Sequence, residues 1–169
     1  MKGCIPIEIP TKSYIRAYII AQLGEKPLMN TSHNIGLKMY DLLHHKTNEQ
    51  DKKFTAENTR YNAKIKIYIN YSLFKQRGFI LNSTHTKNFN LFVEEEVKTR
   101  FHFLMDFFCE ILPSFEANLP EVRRKLGIDL EAWPDDSMKK DYYRYRLRTR
   151  KEIFYKNNDA NGDRFTTPF

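Results

Sequence analysis

The sequence predicts an α+β, mainly helical protein in which a small antiparallel sheet of two or three strands packs on a long central helix. Apolar residues alternate in two segments, as in strands, and recur at steps of three and four elsewhere, as in helices. The 169 residues include 13 Phe and 10 Tyr, enough large apolar side chains to form a core. We therefore expect an α+β body at 1–112, a basic helix-turn-helix-like module at 113–156 and a flexible tail at 157–169.

The clearest strand is predicted after residue 62. Ile65, Ile67 and Ile69 alternate with polar residues, so they should share one buried face. A shorter alternation runs from Ile5 to Ile9, and Pro6 favours an edge position for it. We expect these two strands to pair.

Helices are predicted between and after the strands. Thr11 or Ser13 can cap a first helix that Gly24 would end, and residues 30–33 offer caps for a second. Residues 44–62 are polar and predict a mobile loop. The longest helical pattern covers about 88–112, and its second half is apolar nearly all round. Such a helix belongs either in the core or in a homodimer interface, and the pattern fits both.

The chain carries no sign of a membrane or secretory location. Its N-terminus lacks a signal-peptide apolar run, and no stretch approaches the roughly 20 apolar residues of a membrane helix. Cys4 and Cys109 are the two cysteines, and their spacing indicates ordinary reduced thiols. We expect a cytoplasmic protein of a bacterial host cell, without a membrane partner.

No motif predicts catalysis, a cofactor or a metal site. His102 and Asp106 are four residues apart on the long helix, but three or four convergent ligands are needed to hold a metal. The chain also lacks a Gly-rich phosphate loop, a nucleophile elbow and paired catalytic carboxylates. We therefore expect a non-enzymatic protein with no cofactor.

Positive charge is concentrated near the C-terminus. The net charge is +7. The window from Lys139 to Lys151 contains seven cations and one anion, Asp141, so most of the excess charge lies in thirteen residues. A clustered excess of this kind is typical of a surface that binds a polyanion.

The residues before this window predict a helix, a turn and a second helix. Val122 and Leu126 define the first helix, and Gly127 can end it in a left-handed conformation. We expect Ile128 and Leu130 to bury the turn and Trp133 to anchor it. The second helix would begin at one of two aspartates, at 135 or 136, and would carry the basic window.

Two stretches carry a resemblance to a known group of proteins. Residues 125–144 (KLGIDLEAWPDDSMKKDYYR) and 7–14 (IEIPTKSY) resemble uncharacterised proteins of Bacteroidetes-type phages and mobile elements that have a helix-turn-helix-like C-terminal segment. The resemblance covers most of the chain but implies no activity. Two features depart from an ordinary helix-turn-helix: the turn at 127–136 is long, and Pro120 interrupts the first helix near its start.

The basic window supplies the candidate binding residues. Lys and Arg neutralise phosphates, Arg also contacts guanine edges, and the interleaved tyrosines at 142, 143 and 145 can stack on bases. On a helix, the cations at 140, 144, 148 and 151 would share one face. The candidates are Lys139, Lys140, Tyr143, Arg144, Tyr145, Arg146, Arg148, Arg150 and Lys151.

Several alternatives remain open at the level of sequence. The arginines at 144, 146, 148 and 150 also alternate as in a strand, so a basic β-ribbon is an alternative to a helix. The leading function is a DNA-binding accessory or transcription-regulating protein of a phage or mobile element, with duplex DNA as its partner. The alternatives are a protein-interaction factor that docks an acidic partner, and RNA or single-strand binding.

Overall fold

The computed structural model describes residues 3–44 and 61–162, with side chains for 3–44 and 61–149. The elements in chain order are β1 (Cys4–Thr11), α1 (Ser13–Leu23), β2 (Leu28–Met29), α2 (Asn34–Leu42), β3 (Ala63–Asn70), α3 (Tyr71–Arg77), α4 (Ser83–Ile111), α5 (Phe115–Leu126) and α6 (Asp135–Gly162). The fold class is α+β and mainly helical, as predicted. The chain forms two compact units, of which one ends at Trp133 and the other begins at Pro134.

The sheet joins three strands in the order β1-β3-β2. β1 and β3 are antiparallel, with Ile7 opposite Ile67, and β1 is an edge strand, as the sequence predicted. The prediction of a wholly antiparallel sheet was wrong, because β2 pairs with β3 in parallel, placing Leu28 beside Tyr68. The sheet is therefore mixed, and its third strand enters by a crossover and not by a hairpin.

One face of the sheet is buried under helices. Ile9, Ile67 and Ile69 are at most 1% exposed, and α1 and α4 contribute further buried apolar residues. A polar contact joins the edge strand to α4 inside this core. The Thr11 hydroxyl donates to Asn90 Oδ1 at 2.6 Å, while Asn90 Nδ2 donates to the Pro10 and Thr86 carbonyls at 3.0 and 2.9 Å. Asn90 thus satisfies buried polar groups on both elements.

Two helices differ from their predicted extent. α4 begins at Ser83, about five residues before the predicted start, since the Asn82 side chain accepts from the His85 N–H and caps it. The helix α3 was not predicted, and the Asn70 side chain caps it by accepting from the Leu73 N–H at 2.7 Å. Residues 45–60, most of the predicted loop, lie outside the described residues.

The helix α5 and the following turn close the first unit. Pro120 lies inside α5 and does not interrupt it, because Ser114 caps the helix and Phe115 and Leu119 are already buried on its first turns. Gly127 ends α5 in the left-handed conformation, with φ of 67°, as predicted.

The turn after Gly127 is only partly as predicted. Ile128 is buried, but Leu130 is 58% exposed, so the expectation that both bury the turn was wrong for Leu130. Trp133 anchors the turn, since it stacks on Tyr14 with ring centroids 4.7 Å apart and also packs against Phe101. Arg123 reinforces the turn by donating to the carbonyls of residues 129 and 133.

The second unit contains α6, the longest element after α4. It begins at Asp135 and continues through Gly162, so it includes residues 157–162 of the segment predicted as a tail, while residues 163–169 lie outside the described part of the chain. The basic window is helical throughout. The alternative of a basic β-ribbon is therefore wrong, because all of 139–151 adopts helical backbone geometry.

Candidate nucleic-acid interface

The candidate residues on helix α6 differ in how exposed their side chains are. Helical geometry rotates the chain about 100° per residue, so residues four apart lie on one face. Lys140, Arg144 and Arg148 follow this spacing, and all three are exposed. They form a row about 12 Å long at a rise of 1.5 Å per residue. We call these three residues the cationic row.

The cationic row is not neutralised by nearby acids. Among residues whose side chains are described, no carboxylate lies within ion-pair distance of Lys140, Arg144 or Arg148. The acids of α6 that precede the row, Asp135 and Asp136, lie in its first turn, where they favour the positive end of the helix dipole. Among the described side chains, the positive charge of the row is therefore not compensated by an ion pair.

A second row on α6 is apolar and lies beside the cationic row. Tyr143 and Leu147 are also four residues apart, and they are 53% and 59% exposed. These two side chains give the exposed face of α6 a small apolar area beside its cations. In a major groove, such side chains contact thymine methyl groups while the neighbouring cations reach phosphates.

The other candidates lie off this face or outside the described side chains. Lys139 and Tyr145 are half-buried, and Arg146 is exposed but lies about 200° around the helix from Arg144. Tyr142 is 6% exposed, so the expectation that it could stack on a base was wrong. The side chains of Arg150 and Lys151 lie outside the described part of the chain, although their backbone is helical.

The position of the acids distinguishes α6 from an ordinary recognition helix. In a helix-turn-helix, the N-terminal residues of the second helix contact base edges. Here the first turn carries Asp135 and Asp136, which phosphates would repel, and the cations begin more than one turn later at Lys139. The middle of α6, rather than its N-terminal turn, is the part suited to a polyanion.

The first unit contains a cleft that the sequence did not reveal. Its volume is about 480 Å³, and Tyr18, Phe92, Glu96 and Arg100 are among its lining residues. The Tyr18 hydroxyl donates to Glu96 Oε1 at 3.3 Å, and burial raises the pKa of this phenol. Glu96 Oε2 is buried without a hydrogen-bond partner. Helical periodicity indicates which face of a helix is apolar, but it does not indicate that Glu96 contacts Tyr18. The sequence therefore could not predict this contact.

Two histidines of the first unit, His44 and His85, lie in contact. His44 Nε2 lies 2.8 Å from His85 Nδ1, and the His33 ring caps α2 by accepting from the Gly36 N–H. Within residues 3–44 and 61–149, no group of three or more potential ligand residues is close enough to hold a metal ion. Across the described helices, none has the length and apolar character needed to cross a bilayer.

Comparison with known proteins gives no assignment. No protein-family model matches the chain, and neither the curated proteins nor the solved structures contain a significant match.

Proposed function

We propose that this protein binds duplex DNA through the cationic row of α6 and acts as a non-enzymatic accessory or regulatory protein of a phage or mobile element. The observation that carries the proposal is that Lys140, Arg144 and Arg148 share one exposed face without a described counter-ion. The phage or mobile-element setting rests on the resemblance of residues 7–14 and 125–144 described above.

Three physical features support a duplex as the ligand. An α-helix fits the major groove of B-DNA, which is about 12 Å wide. The cationic row extends over a similar length, so its ends can reach phosphates while Tyr143 and Leu147 face base edges. An acidic protein surface would satisfy the charges equally, but a single-stranded ligand would need more exposed aromatic rings than Tyr143 provides on this face.

The deciding experiment is fluorescence anisotropy of a labelled mixed-sequence duplex titrated with the protein. We expect Arg144→Ala/Arg148→Ala to weaken binding by about tenfold or more at near-physiological salt, because two phosphate-contacting cations are lost. Lys26→Ala/Lys87→Ala is the matched control, since it removes two exposed cations from the first unit and changes the net charge equally.

Two outcomes would contradict the proposal. If a folded Arg144→Ala/Arg148→Ala variant retained full affinity, the cationic row would not be the interface. If the wild-type protein failed to bind duplex even at low salt, an acidic protein would become the better candidate partner. Circular dichroism of each variant shows whether α6 is still helical.

A homodimer is a second prediction about the partners of this protein, and it rests on the apolar second half of α4. The first half of α4 is core, with Phe89, Val93 and Val97 fully buried, whereas Phe103 and Ile111 in its second half are 67% and 70% exposed. A partner that covers these side chains would bury apolar area. Sedimentation equilibrium of wild type and Phe103→Glu tests self-association directly.

A further inference from the structure

The first unit has an exposed aromatic surface centred on α3. The rings of Tyr71, Phe74 and Phe79 follow one another with centroid separations of 5.8 and 5.5 Å, and the planes of adjacent rings are inclined by 21° and 33°. Tyr71 is 52% and Phe79 48% exposed. We call these three residues the aromatic row. Exposed rings in series are unusual on a monomer surface and commonly mark a binding surface.

Cations flank the aromatic row. Lys75 Nζ lies 4.9 Å from the centroid of the Tyr71 ring, and Arg77 Cζ lies 4.4 Å from that of Tyr40 on α2. Both cations are exposed, and no carboxylate among the described side chains lies within ion-pair distance of either. Among the described side chains, these two charges therefore contact aromatic rings.

The local sequence lacks negative charge altogether. Residues 63–93 contain Lys64, Lys66, Lys75, Arg77 and Lys87 but no Asp or Glu. The next residues reverse this balance, since Glu94, Glu95 and Glu96 follow in succession. Lys64 is paired with Glu8 on β1 at 2.9 Å, whereas Lys75 and Arg77 beside the aromatic row have no such partner among the described side chains, so the charge at the row favours a polyanion.

We propose that the aromatic row is a binding site for single-stranded nucleic acid. Bases would stack on Phe79 and, once Lys75 turns from the Tyr71 ring toward a phosphate, on Tyr71, while Arg77 would contact a second phosphate. A duplex fits this surface poorly, because its bases are already stacked on one another and offer no free faces. The site is separate from the cationic row of α6 and does not depend on the function proposed for that row.

The test uses the full chain and an oligothymidylate of about 12 nucleotides carrying one aminopurine, a base analogue whose fluorescence falls on stacking. We expect Tyr71→Leu/Phe79→Leu to weaken binding by about tenfold or more and to abolish the fluorescence change. Leu37→Ala/Leu91→Ala is the control, because it removes two exposed apolar side chains of the first unit that lie outside the aromatic row. An oligouridylate measured in parallel distinguishes RNA from DNA as the source of the single strand.

The two proposals are separated by measuring both ligands on both sets of variants. Tyr71→Leu/Phe79→Leu should leave duplex affinity unchanged, and Arg144→Ala/Arg148→Ala should leave the aminopurine signal unchanged. If the signal is lost only in the α6 variant, or if Tyr71→Leu/Phe79→Leu retains it, the inference is wrong. Binding of polyglutamate at this surface with no single-strand binding would also overturn it, in favour of an acidic protein.

A second variant keeps the test decisive if the leucine substitutions prevent folding. Lys75→Ala/Arg77→Ala alters exposed side chains alone, so the core should be intact. We expect it to weaken oligothymidylate binding and to reduce its salt dependence by about two phosphate contacts. Unchanged affinity and salt dependence in this variant would contradict the proposal.

Discussion

At the scale of single residues, Gly36 shows how little space the first unit leaves around α2. A Cβ atom built on Gly36 would lie 1.7 Å from the Asn30 carbonyl oxygen and 2.7 Å from His33 Cε1. The nearer atom belongs to the backbone, so it cannot move aside as a side chain can. His33 depends on the same close approach, because its Nδ1 accepts from the Gly36 N–H at 2.9 Å. Glycine is therefore required at position 36 because a Cβ atom would clash, and not because the backbone has a positive φ.

We predict that Gly36→Ala lowers the free energy of unfolding by about 3 kcal/mol or more, since α2 must shift to relieve the clash. Chemical denaturation followed by Trp133 fluorescence measures the change. Gly24→Ala is the control, because a Cβ there meets nothing within 4 Å. It should cost less, about 1–3 kcal/mol, because the backbone of Gly24 (φ 83°, ψ 174°) lies in a region that is almost confined to glycine. Equal losses in the two variants would show that the packing at Gly36 is not the cause.

At the scale of elements, an ion-pair network joins the start of α1 to the middle of α4. Glu94 lies 2.6 Å from Lys12 Nζ and 3.0 Å from Lys98 Nζ, and its side chain is 16% exposed. Burial alone would raise the pKa of Glu94, but hydrogen bonds and charge from Lys12 and Lys98 outweigh it and hold the pKa below the ordinary 4.5. Ionised Glu94 therefore stabilises the folded state.

The sign of this pKa shift predicts a pH dependence. The stabilisation is fully present above the ordinary pKa of the carboxyl and is lost as pH falls through the lower, folded-state pKa. We expect Glu94→Gln to be less stable by about 1 kcal/mol near pH 7, with the difference shrinking toward about pH 3. Urea denaturation at both pH values tests this, with the exposed neighbour variant Glu95→Gln as the control. A constant difference at both pH values would refute the assignment.

At the scale of the whole molecule, the two units carry their positive charge differently. The second unit concentrates it on α6, while the first unit distributes its cations over several segments, with a run of three at 123–125 and an acid-free segment at 63–93. The salt dependence of the proposed duplex binding should therefore be set by the cations of α6 and not by the net charge of +7. Local charge density, and not the total, sets how many counterions a contact releases.

We predict that the logarithm of duplex affinity falls with the logarithm of salt concentration with a slope of at least about 3 in magnitude, from the three cations of the row. Arg144→Ala/Arg148→Ala should reduce that magnitude by about 2. Anisotropy titrations at four salt concentrations measure the slope. If Lys26→Ala/Lys87→Ala reduced the slope as much, binding would be a property of total charge, and the interface would not lie on α6.

The candidate site was predicted in part from sequence. Charge density selected the candidate segment. Helical spacing then predicted that Lys140, Arg144 and Arg148 share one face, and the structure shows that the segment is a helix. Spacing alone could not separate that helix from a strand, because the arginines fit both periods. Nor could it show that Tyr142 is buried while Tyr143 is exposed, since a tyrosine suits either environment.

By itself, the sequence determined the features that are encoded within one segment. The alternation of β1 and β3, the left-handed turn at Gly127 and the charge of α6 all follow from local residue order. The tertiary structure decided which distant segments meet. The parallel pairing of the two-residue β2, the contact of Gly36 with Asn30 and the exposure of the aromatic row depend on it. The physical reason is that periodicity specifies which face of an element is apolar, whereas burial depends on what packs against that face.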